Sequence, residues 1–542
     1  MRAIHCFFLV GLLLLVTASG CPWLQPREDF TSANTSGRGL GAPGGLEDGA
    51  EGESEGDPAT DAPTREVVEP DVIRRAGDLL YVLNQHRGLS IVDLADETLV
   101  AQVPTFGFPR DLYVVGNRAY VIVGYATNFI AEADVIGFGY GTRLYVVDIS
   151  TPAEAAVLSS FDLDGDLIDS RLVGDVLYAV SAEFQWDGGG GGVEDGTGVV
   201  RPARKQTSSS WVTSVLVSDP NNIAIADTLS FGGYGNVIQA TNFALFVAAS
   251  DWNTNQSTIT YVDISDPAGA IVVRGNVEVP GAIADRFKMD AFENVLRVVS
   301  NTGWPERNVY VTTVDLADPD NLSILGDTQI PGAAGETLFA TRFDGPRAYV
   351  VTYFMVDPLF VLDLRDPAHP VVAGELQVPG WSTHIEPRGD RLIALGVDDT
   401  EGTRRVKVSL FDVSNPAAPQ ELDVVSFGED WSWSNAFSDV KAFTVLDDVL
   451  IVPFSGWTAQ GGFERLQFVS HTPDDLQLRG SVDLQGQILR SFRGDDNYYG
   501  VTTEQVAVID GTDLDQPAVT NTITLAEYVS DYQELNADTQ VA

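Results

Sequence analysis

The sequence predicts an all-β fold, a β-propeller of eight to nine four-stranded blades, placed after a signal peptide and a disordered acidic linker. Three observations carry this. One sentence is written again and again along the chain: "TYVDISDPAGA" from Thr260, "YVVDISTPAEA" from Tyr145, "FVLDLRDPAHP" from Phe360 and "LFDVSNPAAPQ" from Leu410. The copies recur about every 50 residues, the period of a four-stranded blade. And the runs between them are short, rich in β-branched and aromatic residues, and punctuated by Gly, Asn, Asp and Pro.

The first element is a targeting segment, residues 1–20. "MRAIHCFFLVGLLLLVTASGC" has Arg2, an apolar stretch from Phe7 to Val16 and small residues before Cys21. The stretch is too short for a permanent membrane span. Its ending, Ala18-Ser19-Gly20-Cys21, resembles the bacterial lipobox, which implies a lipid on Cys21. Ala18 and Gly20 also fit an ordinary small-x-small cleavage site. The second element, residues 21–66, is dominated by Gly, Pro, Glu, Asp and Ser, with little apolar to bury, and reads as a disordered acidic tether. As a random coil it spans about 35–40 Å.

The propeller is expected over residues 67–528, followed by a C-terminal tail at 529–542. Aligned on the Asp of the repeated sentence, the copies give Asp93, Asp148, Asp263, Asp315, Asp363, Asp412 and Asp510, with degenerate copies "SVLVSDP" (214–220) and "LQFVSHTP" (466–473). Each unit has a short turn such as Gly77-Asp78, Gly116-Asn117, Gly174-Asp175 or Gly389-Asp390. A β run follows, then a variable loop, the Asp-terminated run and a closing run. The recurring Asp is expected to end a strand and accept a hydrogen bond from the backbone two residues on, ahead of a Pro that cannot continue a ladder. A turn former repeated around a ring is not an active site.

These units resemble LVIVD-type repeats, and "VVEPDVIRRAGDLLYVLNQHRGLSIVDL" (67–94) resembles the opening of secreted bacterial and archaeal β-propeller-domain proteins. The resemblance implies the fold and an extracytoplasmic setting. It carries no catalytic motif.

Composition narrows the function. The 542 residues hold 32 Lys and Arg against 77 Asp and Glu, a net charge of −45. Such a surface repels phosphate backbones and anionic headgroups, so nucleic acid is excluded as a partner and membrane contact is expected through the lipid anchor alone. The two cysteines, Cys6 and Cys21, leave the body without a disulfide, thiolate metal site or cysteine nucleophile.

In a propeller the loops between second and third strands, and those between blades, leave from one face. The longest irregular segments map there: 124–142, 183–210, 251–258, 301–308, 396–405 and 454–465. So do seven tryptophans. Trp186, Trp252, Trp304 and Trp457 lie in second-to-third loops, and Trp381, Trp431 and Trp433 at blade junctions. Aromatic rings beside Asn, Asp and Arg suit a glycan or a protein partner; equally, long loops use Trp as an anchor. Metal signals are weak. Asp162, Asp164 and Asp166 alternate as calcium ligands can, but without an EF-hand's glycine and glutamate. His86, His369, His384 and His471 belong to different units. No cofactor is expected. The expectation is a cell-envelope lipoprotein, extracytoplasmic, whose propeller binds a protein or glycan without catalysis. The alternative is a glycan lyase or hydrolase using mouth carboxylates such as Asp251, Glu306 or Asp398.

Overall fold

The computed structural model describes residues 65–542 apart from 131–134, 139–140, 186–206, 234, 236, 252–253, 354–356, 379, 460, 528–532, 537–538 and 542. The expected targeting segment, residues 21–64 of the expected tether, Trp186 and Trp252 therefore lie outside the described residues.

Among the described residues nine antiparallel blades follow one another: 73–103, 108–163, 166–232, 237–280, 289–329, 337–378, 381–427, 444–484 and 488–524. Among the described residues there is no α-helix, only short 3-10 turns. The four strands of each blade come from one stretch of chain, in blade 2 with a hairpin inserted between the second and third, so the C-terminal end completes no earlier blade. The second and third strands are almost wholly buried, as in Leu79–Asn84 and Gln505–Asp510. The fourth is exposed, as in Ala518–Thr524, which marks it as the rim. Both faces of each sheet are apolar, and neighbouring blades cover them. The clusters run from blade to blade around the whole ring, and Phe492, Val501 and Ile523 of the last blade pack with Val72, Leu80 and Leu89 of the first. This contact closes the circle.

The repeated Asp behaves as its chemistry requires. Asp93, Asp148, Asp263, Asp315, Asp363, Asp412 and Asp510 each end a third strand and accept from the backbone N–H two residues on, at 2.9–3.1 Å. Opposite that end every fourth strand carries a β-bulge against the third, including in the two degenerate copies. The extra residue bends the fourth strand beside the turn that follows the third. There the Pro-bearing turn presents its carbonyl to a glycine in the preceding blade's fourth strand. Gly275 N donates to Pro319 O at 2.7 Å, and a Cβ on Gly374 would stand 2.1 Å from Pro416 O. The repeated sentence thus writes a latch between blades.

Residues 65–72 thread the centre of the ring. Val67–Val68 adds a fifth strand to the inner edge of blade 3, opposite Val173 and Leu172. Glu69 then sits among Arg171, Arg286 and Lys441, cations from three separate stations around the ring, with Arg171 at 3.2 Å and Lys441 at 3.4 Å. Lys441 also donates to Pro70 O at 3.1 Å. The central channel is filled by the chain itself.

Two sequence readings are corrected in detail. The second and third strands of blade 8 run on to Val449–Thr458 and Gly461–Thr472, so Trp457 stands on a projecting strand rather than in a loop. In blade 3 the strands Val176–Gln185 and Thr207–Leu216 likewise consume the ends of the expected 183–210 loop. In both, cross-strand pairing continues past the sheet body because the apposed residues still find backbone partners.

Candidate functional site in the mouth of the ring

Blades 5 to 8 surround a cavity of about 540 Å3 on the face of the second-to-third connections. Its wall is a chain of rings. Phe339 meets Tyr353 edge-on at 5.9 Å, and Tyr353 lies 5.0 Å from Trp381. Arg404 follows, its guanidinium 5.0 Å from the ring of Trp381 and 4.9 Å from that of Trp433. Trp433 in turn meets Phe437 edge-on at 4.9 Å.

Each member is placed by local geometry. Trp381 opens the first strand of blade 7, Trp381–Arg388, directly after Gly380, whose φ of 80° turns the chain inward. Trp433 sits between blades 7 and 8, where two bonds with Ser455, at 2.9 and 2.7 Å, make it a stub of sheet. Arg404 ends the turn Thr400–Gly402. Asp398 holds the start of that turn through Thr400 N at 3.1 Å and Oγ1 at 2.6 Å, and Ser432 N holds its end by donating to Arg404 O at 2.9 Å. Burial would raise Asp398, but hydrogen bonds from Thr400 and Ser426 and the charge of Lys407 keep its carboxyl below the ordinary value.

The floor is polar. Lys288, buried, donates to Asp285 at 2.5 Å and to Phe339 O at 2.9 Å, and Asp285 also accepts from Phe287 N at 3.0 Å. Below, Glu386 stands 3.8 Å from His384. Burial would raise its carboxyl, yet His384, Arg342 and Arg388 draw it down to about 2. Thr341, only 5% exposed, lines the cavity with its hydroxyl unbonded.

The sequence-expected tryptophans divide. Trp304, Trp431 and Trp457 are 78%, 70% and 77% exposed around the mouth face. Trp304 has Arg307 5.4 Å from its ring. Trp381 and Trp433 spend ring faces on Arg404 and so form a clamp rather than a free stacking platform. Of the acids considered for catalysis, Asp251, Glu306 and Asp398 belong to blades 4, 5 and 7, and none lines the cavity. Asp162 pairs with Arg143 at 2.6 Å, and among the described residues no three of His, Cys, Asp and Glu converge on a point that would hold a metal. Asp162, Asp164 and Asp166 are thus not brought together as a calcium site, because Asp162 turns outward on a rim strand. Arg404, Tyr353, Phe339 and Phe437 were missed by sequence reasoning. Arg404 stands in "GVDDTEGTRR", an acidic loop that gives no hint of the rings that close on it.

The family model described as "Beta propeller domain" matches residues 59–514. An uncharacterized protein of Archaeoglobus fulgidus is 34% identical over 239 residues, 44% of this chain and 35% of that protein. An uncharacterized protein of Methanocaldococcus jannaschii is 40% identical over 169 residues, 31% of this chain and 26% of that protein. The matches thus span about a third or less of these relatives' own length. Among solved structures, Sqt1 from Chaetomium thermophilum shares 14% identity with a TM-score of 0.41, over 72% of this chain and 90% of that one. BamB from Moraxella catarrhalis shares 10% with a TM-score of 0.37, over 81% and 97%.

Proposed function

Since this chain belongs to the Beta propeller domain family, we propose that it is a non-catalytic binding scaffold, held on the extracytoplasmic side of a cell envelope by a lipid on Cys21. Its propeller receives a protein or glycan partner at the mouth. The observation that carries this is the walled cavity of about 540 Å3, within the rough range of 300–1,000 Å3 that suits small-molecule groups, on the same face as exposed Trp304, Trp431 and Trp457. Rigid blades fix the wall, so little ordering entropy opposes binding.

The lining argues for binding rather than hydrolysis. Canonical glycan hydrolysis uses two carboxyl groups flanking one bond. Among the described residues Asp285 is the one carboxylate of the lining, and it is committed to Lys288. The test is a pull-down from native envelope together with a glycan array, both with the immobilised full chain and with Trp433→Ala. Retention of a partner by the wild type and its loss in the variant supports the reading. No partner from either source, or equal retention by both proteins, overturns it.

A further inference from the structure

We propose that the mouth cavity is a receptor for a carboxylate carried on a sugar, such as a uronic acid residue of an acidic glycan, with Arg404 as the charge that recognises it. The inference rests on the binding role just described and names its ligand.

Arg404 carries the argument. The chain has more than twice as many acids as bases, and its cations are mostly spent: Arg171, Arg286, Lys288, Lys441 and Arg490 all have carboxylate partners. Among the described residues no carboxylate pairs with Arg404, and its buried Nε has no hydrogen-bond acceptor. Its guanidinium carbon instead lies 5.0 Å from the ring of Trp381 and 4.9 Å from that of Trp433. Contact with the rings spends no N–H donor, and a guanidinium meets a carboxylate with paired bonds through such donors. The π faces stabilise the cation without satisfying its donors.

The surroundings fit an anion and then a sugar. Among the described residues the lining holds two fixed cations, Arg404 and Lys288, against the single carboxylate of Asp285. Thr341 offers an unbonded, buried hydroxyl on the same wall. Thr383 and Ser438 line the space as well, so the wall offers both polar and aromatic surface. A pyranose, apolar on its ring faces and polar at its edge, uses both. A cavity of about 540 Å3 has room for a sugar ring or two rather than a whole helix, which favours a glycan over a docked protein element.

The experiment titrates the full chain with oligogalacturonate and with the same oligosaccharide after carboxyl reduction, following tryptophan fluorescence and heat. The wild type should bind the acidic form about tenfold or more tightly, the worth of a charge-assisted hydrogen bond. Arg404→Gln should abolish the preference, and Arg404→Lys should restore part of it, which also guards against a variant whose loop has simply collapsed. Equal binding of acidic and reduced forms, or an unchanged preference in Arg404→Gln, overturns the proposal. If array hits are neutral glycans lost in Trp433→Ala, the scaffold role stands and the carboxylate inference falls. If only carboxylate-bearing peptides bind, through Arg404, the sugar assignment falls.

Discussion

Asp71 and Arg490, 419 residues apart in the chain, meet at 2.8 Å with both side chains fully buried. Arg490 also reaches Asp439 at 2.7 Å, so one guanidinium in the last blade joins the central segment to the junction before blade 8. In the dry centre of the ring such a pair holds position more than it adds stability. Losing Asp71 leaves Arg490 with one carboxylate fewer, and Asp71→Ala should cost about 3–5 kcal/mol. Replacing the whole cluster, as Asp71→Leu and Asp439→Leu with Arg490→Met, should recover much of that. Urea denaturation of the two variants decides it: an Asp71→Ala chain as stable as wild type would show that the pair does not close the ring.

The latch between blades predicts a steric penalty at one glycine and tolerance at another. A methyl on Gly374 would stand 2.1 Å from Pro416 O, so Gly374→Ala should destabilise by about 1–3 kcal/mol through forced movement of the next blade's turn. Gly389, with φ of 64° and open space around it, needs only a residue that accepts the left-handed region. Gly389→Asn should be nearly silent. Thermal melting of both variants compares space with backbone conformation in one fold.

Glu464 should give the protein a pH-dependent increment. Burial raises its carboxyl from 4.5 to about 7, with the backbone bond at Ile488 pulling weakly the other way. The folded chain therefore holds this proton more tightly than the unfolded chain does. Its contribution is fully present below about pH 4.5 and is lost as pH rises to about 7, then stays flat. Glu464→Gln has no such proton to lose, so its stability relative to wild type should rise between pH 5 and pH 8. A constant difference between the two urea midpoints across that interval would refute the burial argument.

The lipid anchor is tested by Cys21→Ser and fractionation. Wild type is expected in the membrane fraction and the variant in the soluble one. Both proteins wholly soluble would remove the anchor from the proposed function.

Blade packing around the full ring makes cooperative unfolding the expectation. Denaturant melts followed by tryptophan fluorescence and by far-UV circular dichroism should coincide. Two separated transitions would mean that the ring comes apart in halves.

Much of this was legible in the sequence because it is local. The turn after Asp263 needs only an Asp and the N–H two residues on, so seven copies announce seven blades. The copies at 214–220 and 466–473 lack that Asp, and their strands are still blades because packing by both neighbours holds them. The choice of nine over eight therefore belonged to tertiary contacts. So did the correction at Trp457, where pairing runs on beyond the turn signal.

What the sequence by itself determined is the repeating unit, its period and the face on which its irregular loops emerge, since strand alternation and turn chemistry act over a few residues. Only the tertiary structure decided the blade number, the threading of Glu69 and Asp71 through the centre, and the clamp on Arg404. Those features bring together residues from blades remote in the chain. Electrostatic and aromatic attraction acts over a few ångströms of space, and no spacing along the sequence encodes which three elements will share them.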